Sequence, residues 1–506
     1  MNLMYALQDP ETIQTPAIEW MQLSPMLAVF LAATIGVLVE AFAPAAYRRI
    51  GQLVVSIGGL LLALLFVVKL WGEHAPKVVA DGVVAVDPPA LFLQGTLVAL
   101  AIASLLLLAE RGAKNDPDSA VARDLPTESF PLALFAVGGM MLFVSATNLL
   151  VLFLALEVLS LPLYLLTGLA RRRKIVSQEG ALKYFLLGAF SSAFLLYGIA
   201  LLYGYAGTTS FAGIHDATLR VGTAEPLMYA GVALLGVGLL FKAGLVPFHA
   251  WTPDVYQAAP TPVTALMSAA TKVAAFGGLA RVLYVIGGAL VWDWRPAIWA
   301  VAILTMVVGA VVAVTQQDVK RMLAYSSVAH AGFILTGIAA ANTVGLRGVL
   351  FYLLAYGFTV LGAFGVVTLV RDADGEATHL SKWQGLGRRS PLVAGVFAFF
   401  LFALAGIPLT SGFTAKFAVF EAAVEGRATP LVVVGVVTSA IAAFFYARVI
   451  VLMFFQEPAE DGPVVVLPSV PAAAALGLAV TVTILLGVVP GEMVRLADVA
   501  SRGFIR

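Results

Sequence analysis

Five ionisable side chains stand inside long apolar runs of this 506-residue chain. They are Glu157 in LFLALEVLSLP, Lys183 in ALKYFLLG, Lys242 in LLFKAGLVP, Lys272 in SAATKVAAF and Lys416 in SGFTAKFAV. Two histidines belong with them: His249, seven residues after Lys242, and His330 in AYSSVAHAGF, where Ser326 and Ser327 add hydroxyls. Carboxylate, ammonium and imidazole are proton-carrying groups. A buried lysine loses basicity by desolvation and regains it beside a carboxylate, so separating and reuniting Glu157 with a lysine would load and unload a proton. Moving one proton against about 150–200 mV needs roughly 3.5–4.6 kcal/mol, which a swing of about 3 pKa units supplies. Arginine, always protonated, would not serve, whereas histidine titrates nearest neutrality.

A charge at mid-membrane costs about 2.5–3.5 kcal/mol. The five are therefore expected to face a protein interior or a water-filled cavity. Plainer roles compete. Lys183 lies four residues after Glu179 and suits an ordinary helical ion pair. Glu157 suits a static buried pair, and His249 a hydrogen-bonded loop. Lys272 and Lys416 sit among small residues, too deep to reach the interface.

The elements that would hold these groups are apolar helices. Hydrophobic residues make up 61% of the chain and charged residues only 12%, about half the share usual in soluble domains. Runs of roughly 20 apolar residues, enough to cross a bilayer as helices, recur throughout, and no strand-like alternation suggests a barrel. The chain reads as an all-α polytopic membrane protein. About fourteen spans are expected, near 22–44, 50–71, 88–109, 128–146, 148–169, 180–206, 226–249, 260–288, 296–316, 322–341, 346–370, 391–422, 430–454 and 467–490. Pro247 and Gly244 should break the span of Lys242, exposing polar backbone beside the ammonium. Had that helix continued, His249 would share nearly one face with Lys242. KAGLVP at 242–247 and LAGIPL at 404–409 hint at a duplicated unit, and an odd offset of five spans would invert it.

Basic residues collect in alternate loops: Arg48–Arg49, Arg111, Lys114, Arg123, the RRRK run at 171–174, Lys320–Arg321, Arg371, Lys382 and Arg388–Arg389. The positive-inside rule makes that side cytoplasmic and places both termini outside. The start, MNLMYALQDPETIQTP, reads as a short polar leader without a basic signal region. With no cysteine, thiolate-held clusters and disulfides are excluded. No GxGxxG fingerprint or GK[ST] motif offers a nucleotide site, and no basic patch suggests nucleic acid.

KAGLVPFHAWTPDVYQAAPTPVTALMSAATK at 242–272 resembles the core of the antiporter-like subunits of respiratory complex I, relatives of the multisubunit sodium/proton antiporters. LEVLSLPLYLL around Glu157, QQDVKRMLAYSSVAHAGF at 316–333 and LAGIPLTSGFTAKF at 404–417 match further signatures of that family. The chain is most similar to the bacterial N type. It is expected to end after about fourteen spans without the C-terminal lateral helix of the L type, carries Lys416 where the M type typically has glutamate, and reads PDVY at 253–256 where L and M tend to read PDAH.

The resemblance implies two inverted five-helix repeats with broken helices in spans 7 and 12. The domains expected are 1–127 (spans 1–3), 128–288 (first repeat), 289–454 (second repeat) and 455–506 (last span). It implies proton translocation coupled to electron transfer from NADH to quinone, with NADH, FMN, iron–sulfur clusters and quinone held by other subunits and no cofactor or metal here. Glu157 would modulate Lys242 in the broken seventh span and Lys272 would connect to the terminal Lys416. His330 would bridge the axis and Lys183 assist. Partners would be the K and M subunits, the lateral helix of L and the lipid of a bacterial inner membrane. Two other readings remain: an antiporter subunit exchanging sodium, for which one deep carboxylate offers few oxygen ligands, and a passive scaffold.

Overall fold

Backbone in hydrocarbon must satisfy its own hydrogen bonds, so apolar runs close into helices. A computed structural model of the chain describes residues 18–73, 76–110, 125–170, 174–221, 225–372, 375–458 and 462–504. The expected leader, Arg111, Lys114, Arg123 and Arg171–Arg173 lie outside the described residues.

The chain opens with α1 (Trp20–Phe42) and α2 (Ala45–Glu73). An antiparallel hairpin, β1 (Lys77–Val79) with β2 (Val84–Val86), leads into α3 (Pro88–Leu108). Next come α4 (Ser129–Ser145), α5 (Leu149–Thr167), α6 (Lys174–Ala206) and the short α7 (Phe211–Val221). The first interrupted segment consists of α8 (Pro226–Ala243) and α9 (Trp251–Ala258). One continuous run then carries α10 (Thr261–Leu266), α11 (Lys272–Arg281) and α12 (Val291–Thr315), with π-helical turns at Met267–Thr271 and Val282–Ile286. It is followed by α13 (Val319–Ala339) and α14 (Thr343–Val367). Strands β3 (Val370–Asp372) and β4 (Gly375–Glu376) pair, and α15 (Leu386–Arg389) follows. The second interrupted segment is α16 (Pro391–Ala405) with α17 (Ser411–Glu425). After α18 (Thr429–Phe455), β5 (Val464–Val465) joins the edge of β3, and α19 (Val470–Val488) and α20 (Gly491–Ser501) end the fold.

Among the described residues eleven helical segments are long and apolar enough to cross a membrane. The difference from about fourteen has three local causes. Helix α4 stops at 17 residues, the α16–α17 segment is divided, and 261–315 runs on without a break. Both interruptions close on a glycine in the left-handed region, Gly244 at φ 70° and Gly406 at φ 85°. Glycine enters that region without the Cβ clash that other residues suffer.

Helices α13 and α14 are 94% buried within their apolar windows, whereas α2, α6, α18 and α19 are only 28–33% buried. The first pair is therefore the axis of the bundle and the others its lipid-facing rim. Side-chain caps start several helices: Asp87 accepts from Ala90 N, Asn148 from Leu150 N, Asp318 from Lys320 N and Arg321 N. Gly309 lets α12 approach closely, since a Cβ there would stand 2.5 Å from the Ala329 nitrogen on α13. That contact seats the turn carrying His330.

The tally of five intramembrane charges is corrected. Glu40, Lys69, Glu128, Arg281, Arg347, Glu421 and Arg448 also fall inside the expected spans, and Arg281 is completely buried.

Candidate functional site

Lys242 occupies the last turn of α8. Its Nζ donates to Ser160 Oγ at 2.8 Å and to Tyr184 OH at 3.4 Å. The Tyr184 ring stacks on Trp251 with centroids 4.8 Å apart, which fixes the hydroxyl. Ser160 is one turn beyond Glu157 on α5, and Ser192 of α6 donates to Glu157 Oε1 at 2.5 Å. Glu157 and Lys242 make no ion pair. Ser160 stands beside the ammonium, while the carboxylate remains within electrostatic reach.

Lys272, at the start of α11, donates to the Ala243 carbonyl at 3.0 Å. Ala243 ends α8, so the ammonium caps the negative end of a helix dipole at the break. Lys416 of α17 does the same at the second break, donating to Leu404 O at 3.2 Å and Ala405 O at 2.9 Å at the end of α16. Its Nζ also lies 4.9 Å from the Phe333 ring centroid. In KAG and LAG the alanines Ala243 and Ala405 stand at matching places, and each carbonyl receives an ammonium. All three lysines are buried.

His330 lies between these two ends, within electrostatic reach of both Lys272 and Lys416. Its Nδ1 is 2.8 Å from Tyr352 OH and its Nε2 3.5 Å from Tyr446 OH, which is hydrogen-bonded in turn to Ser326. Along the same stretch, Thr252 Oγ1 and Thr271 Oγ1 are buried with no hydrogen-bond partner among the described residues. Buried hydroxyls require one, and the site is polar enough for water to serve as that partner. Thr252 Oγ1 and Lys272 Nζ both approach Gly244.

Two expected residues sit apart. Lys183 is 45% exposed and pairs with Glu179 at 2.8 Å and Asp254 at 3.0 Å, the latter also bound by Arg321 at 2.8 Å. This is the ordinary i,i+4 pair, extended into a surface network. A face shared by His249 and Lys242 would need a continuous helix, and the expected break precludes it: α8 ends at Ala243 and the chain turns at Gly244. His249 is half-buried against Tyr325, ring centroids 6.3 Å apart, and its Nδ1 has no hydrogen-bond partner among the described residues.

Sequence reasoning missed Ser160, Tyr184, Ser192, Thr252, Tyr352 and Tyr446. Tyr184 follows Lys183 directly and Ser160 follows Glu157 by one turn, so hydroxyls near the charges carried a signal. Tyr352 and Tyr446 carried none, being placed by tertiary packing. Chemically, these residues form a file of ammonium, hydroxyl and imidazole groups between carbonyl-lined helix ends. Each is a group able to give or accept a proton, and among the described residues none has a carboxylate within ion-pair distance.

A family model described as "NADH:quinone oxidoreductase/Mrp antiporter, TM" matches residues 146–442, over half the chain and spanning every site residue expected from the sequence, with Tyr446 just beyond it. The chain belongs to this antiporter-like family. Subunit N of NADH-quinone oxidoreductase from Rhodococcus opacus (strain B4) is 59% identical over 533 residues, covering 98% of both proteins. A chain in the structure of respiratory complex I from Thermus thermophilus with bound aureothin aligns at a TM-score of 0.78 and 33% identity, covering 94% of this chain and 99% of that one. The Mrp complex of Dietzia sp. DQ12-45-1b contains a chain with the same antiporter-like fold, at a TM-score of 0.80 and 23% identity over 95% of this chain and 96% of that one.

Proposed function

We propose that this chain is the N-type, proton-translocating membrane subunit of an NADH–quinone oxidoreductase of the complex I class. Electron transfer takes place in other subunits, and the chain relays protons through Glu157, Lys242, Lys272, His330 and Lys416. The observation that carries the reading is the placement of Lys272 and Lys416. Each ammonium is buried on the terminal carbonyls of a broken helix, and His330 lies between them. The extent and identity of the match to a subunit N favour this over an antiporter subunit.

Tyr352, Tyr446 and water on the unpartnered hydroxyls complete the file. Lys183 and His249 serve at its margin, through the Asp254 network and the Tyr325 contact. The stretches 128–288 and 289–454 are proposed as inverted repeats, with 1–127 and 455–506 flanking them. Gly244 and Gly406 at matching breaks support that division. The chain sits in a bacterial plasma membrane with both termini outside, beside K- and M-type subunits and the lateral helix of L.

Lys272→Met tests the relay. Expected is normal assembly with NADH-driven proton uptake into inverted vesicles reduced about tenfold or more, the scale of a lost acid–base group. Unchanged uptake by fully assembled variant complex overturns it. Sodium-driven pH change without NADH would instead identify an exchanger.

A further inference from the structure

Away from the lysine file, a cavity of about 480 Å³ opens where the start of α13, the 379–384 segment and the end of α18 meet. Its polar wall is Gln317, His379, Ser381, Gln384, Arg448 and Gln456, and among the described residues no carboxylate lines it. Arg448 uses two donors on the carbonyls of Val314 and Gln316, at 2.8 and 2.7 Å, and makes no ion pair among the described residues. A guanidinium carries five N–H groups, so donors and the whole charge remain. His379 Nδ1 accepts from Ser381 N at 3.3 Å, which places the proton of the neutral ring on Nε2. The side chains of Gln317 and Gln384 make no hydrogen bond among the described residues.

The apolar continuation decides what fits. Val451, Phe444 and Val437 are exposed at seven-residue spacing on α18, hence on one face. Leu304, Val307 and Val311 are exposed on α12, which packs beside α18. Two hydrocarbon-facing stripes thus run down from a cationic, donor-rich pocket. Phosphate ion complements only the pocket, and an apolar helix complements only the stripes.

We propose that this pocket binds the phosphate of an anionic phospholipid from the surrounding bilayer, with its acyl chains lying along α12 and α18. The lipid's negative headgroup meets Arg448 and the His379 Nε2–H, while the glutamine amides hold its ester and glycerol oxygens. The site depends on the chain being embedded in a membrane and not on any step of the proton file.

The test uses the intact complex in nanodiscs with phosphatidylglycerol or phosphatidylcholine carrying a photoreactive acyl chain. Expected is labelling of α18 and α12 peptides about fivefold higher with phosphatidylglycerol, the preference one interfacial cation gives. Unlabelled phosphatidylglycerol should compete and inorganic phosphate should not. Gln384→Glu, which keeps every hydrogen bond of Arg448, should abolish the preference, as should Arg448→Gln. Equal labelling by both lipids, competition by free phosphate, or insensitivity to Gln384→Glu overturns the proposal. So does cross-linking that shows the α12–α18 face covered by another subunit.

Discussion

Arg281 and Asp87 face each other with neither side chain exposed, joined by two hydrogen bonds of 2.8 and 2.7 Å. Arg281 Nε also donates to Val144 O at 2.9 Å, and the Phe504 ring lies 4.9 Å from the guanidinium. Arginine does not release its proton, so this pair ties α3 to α11 and carries nothing. Removing one partner of a buried pair costs about 3–5 kcal/mol, while replacing both with apolar groups is often neutral. Asp87→Leu should therefore deplete the assembled complex on native gels, and adding Arg281→Met should restore it with proton uptake intact. Full assembly of the single variant would show that the pair holds nothing together.

The two left-handed glycines make a second prediction. An L-residue in that conformation costs roughly 1–2 kcal/mol, so Gly244→Ala and Gly406→Ala should both lower the thermal midpoint of the complex. Their effects on transport should differ. A Cβ at Gly406 would stand 3.1 Å from Lys416 Cδ and 3.3 Å from its Nζ, whereas at Gly244 the nearest group is Thr252 Oγ1 at 2.9 Å, with Lys272 Nζ at 3.6 Å. Gly406→Ala should thus cost more proton uptake per NADH oxidised. The opposite ranking would count against the placement of Lys416 as a working element.

Helices and breaks were legible because hydrocarbon leaves an apolar chain few options, and because Gly244 and Pro247 interrupt a run that otherwise has no reason to stop. Lys242, Lys272 and Lys416 were legible for the same reason, since a deep ammonium without a purpose is costly. What sequence did not disclose was their partners. Lys272 bonds to a backbone carbonyl 29 positions away, and carbonyls leave no mark in residue identity. The place of His249 stayed open, because the break announced at Gly244 and Pro247 removes the face that a continuous helix would have shared with Lys242. Arg281 was overlooked because its counter-charge, Asp87, lies 194 positions earlier.

Glu376, in β4 outside the spans, yields a pH prediction. Its Oε2 is 3.0 Å from Lys320 Nζ, and its Oε1 accepts from Thr261 N at 2.9 Å. Burial alone would raise its pKa, but the charges of Lys320 and Arg371 and the Thr261 hydrogen bond prevail, taking it from 4.5 to about 2. A carboxyl depressed by folding contributes stability that is complete above its unfolded pKa and lost as pH falls through the folded one. The unsubstituted complex should therefore outlast Glu376→Gln in thermal denaturation at neutral pH, with the gap shrinking below about 4.5 toward 2. A gap independent of pH would mean that the Lys320 pairing contributes no net charge stabilisation.

The arrangement around His330 predicts unequal roles for its two tyrosines. Tyr352 OH is 2.8 Å from Nδ1, a full hydrogen bond, whereas Tyr446 OH is 3.5 Å from Nε2, at the limit of one. Hydroxyls on both nitrogens allow a neutral imidazole to accept a proton on one side and give one up on the other. Tyr352→Phe removes a bond worth about 1 kcal/mol and should slow proton uptake about fivefold. Tyr446→Phe should slow it less, because its hydroxyl is anchored chiefly to Ser326. A packing role predicts something else: both substitutions would lower thermal stability and leave the pH profile of uptake unmoved. The relay predicts a displaced profile for Tyr352→Phe, because the proton affinity of His330 then changes where the proton must pass.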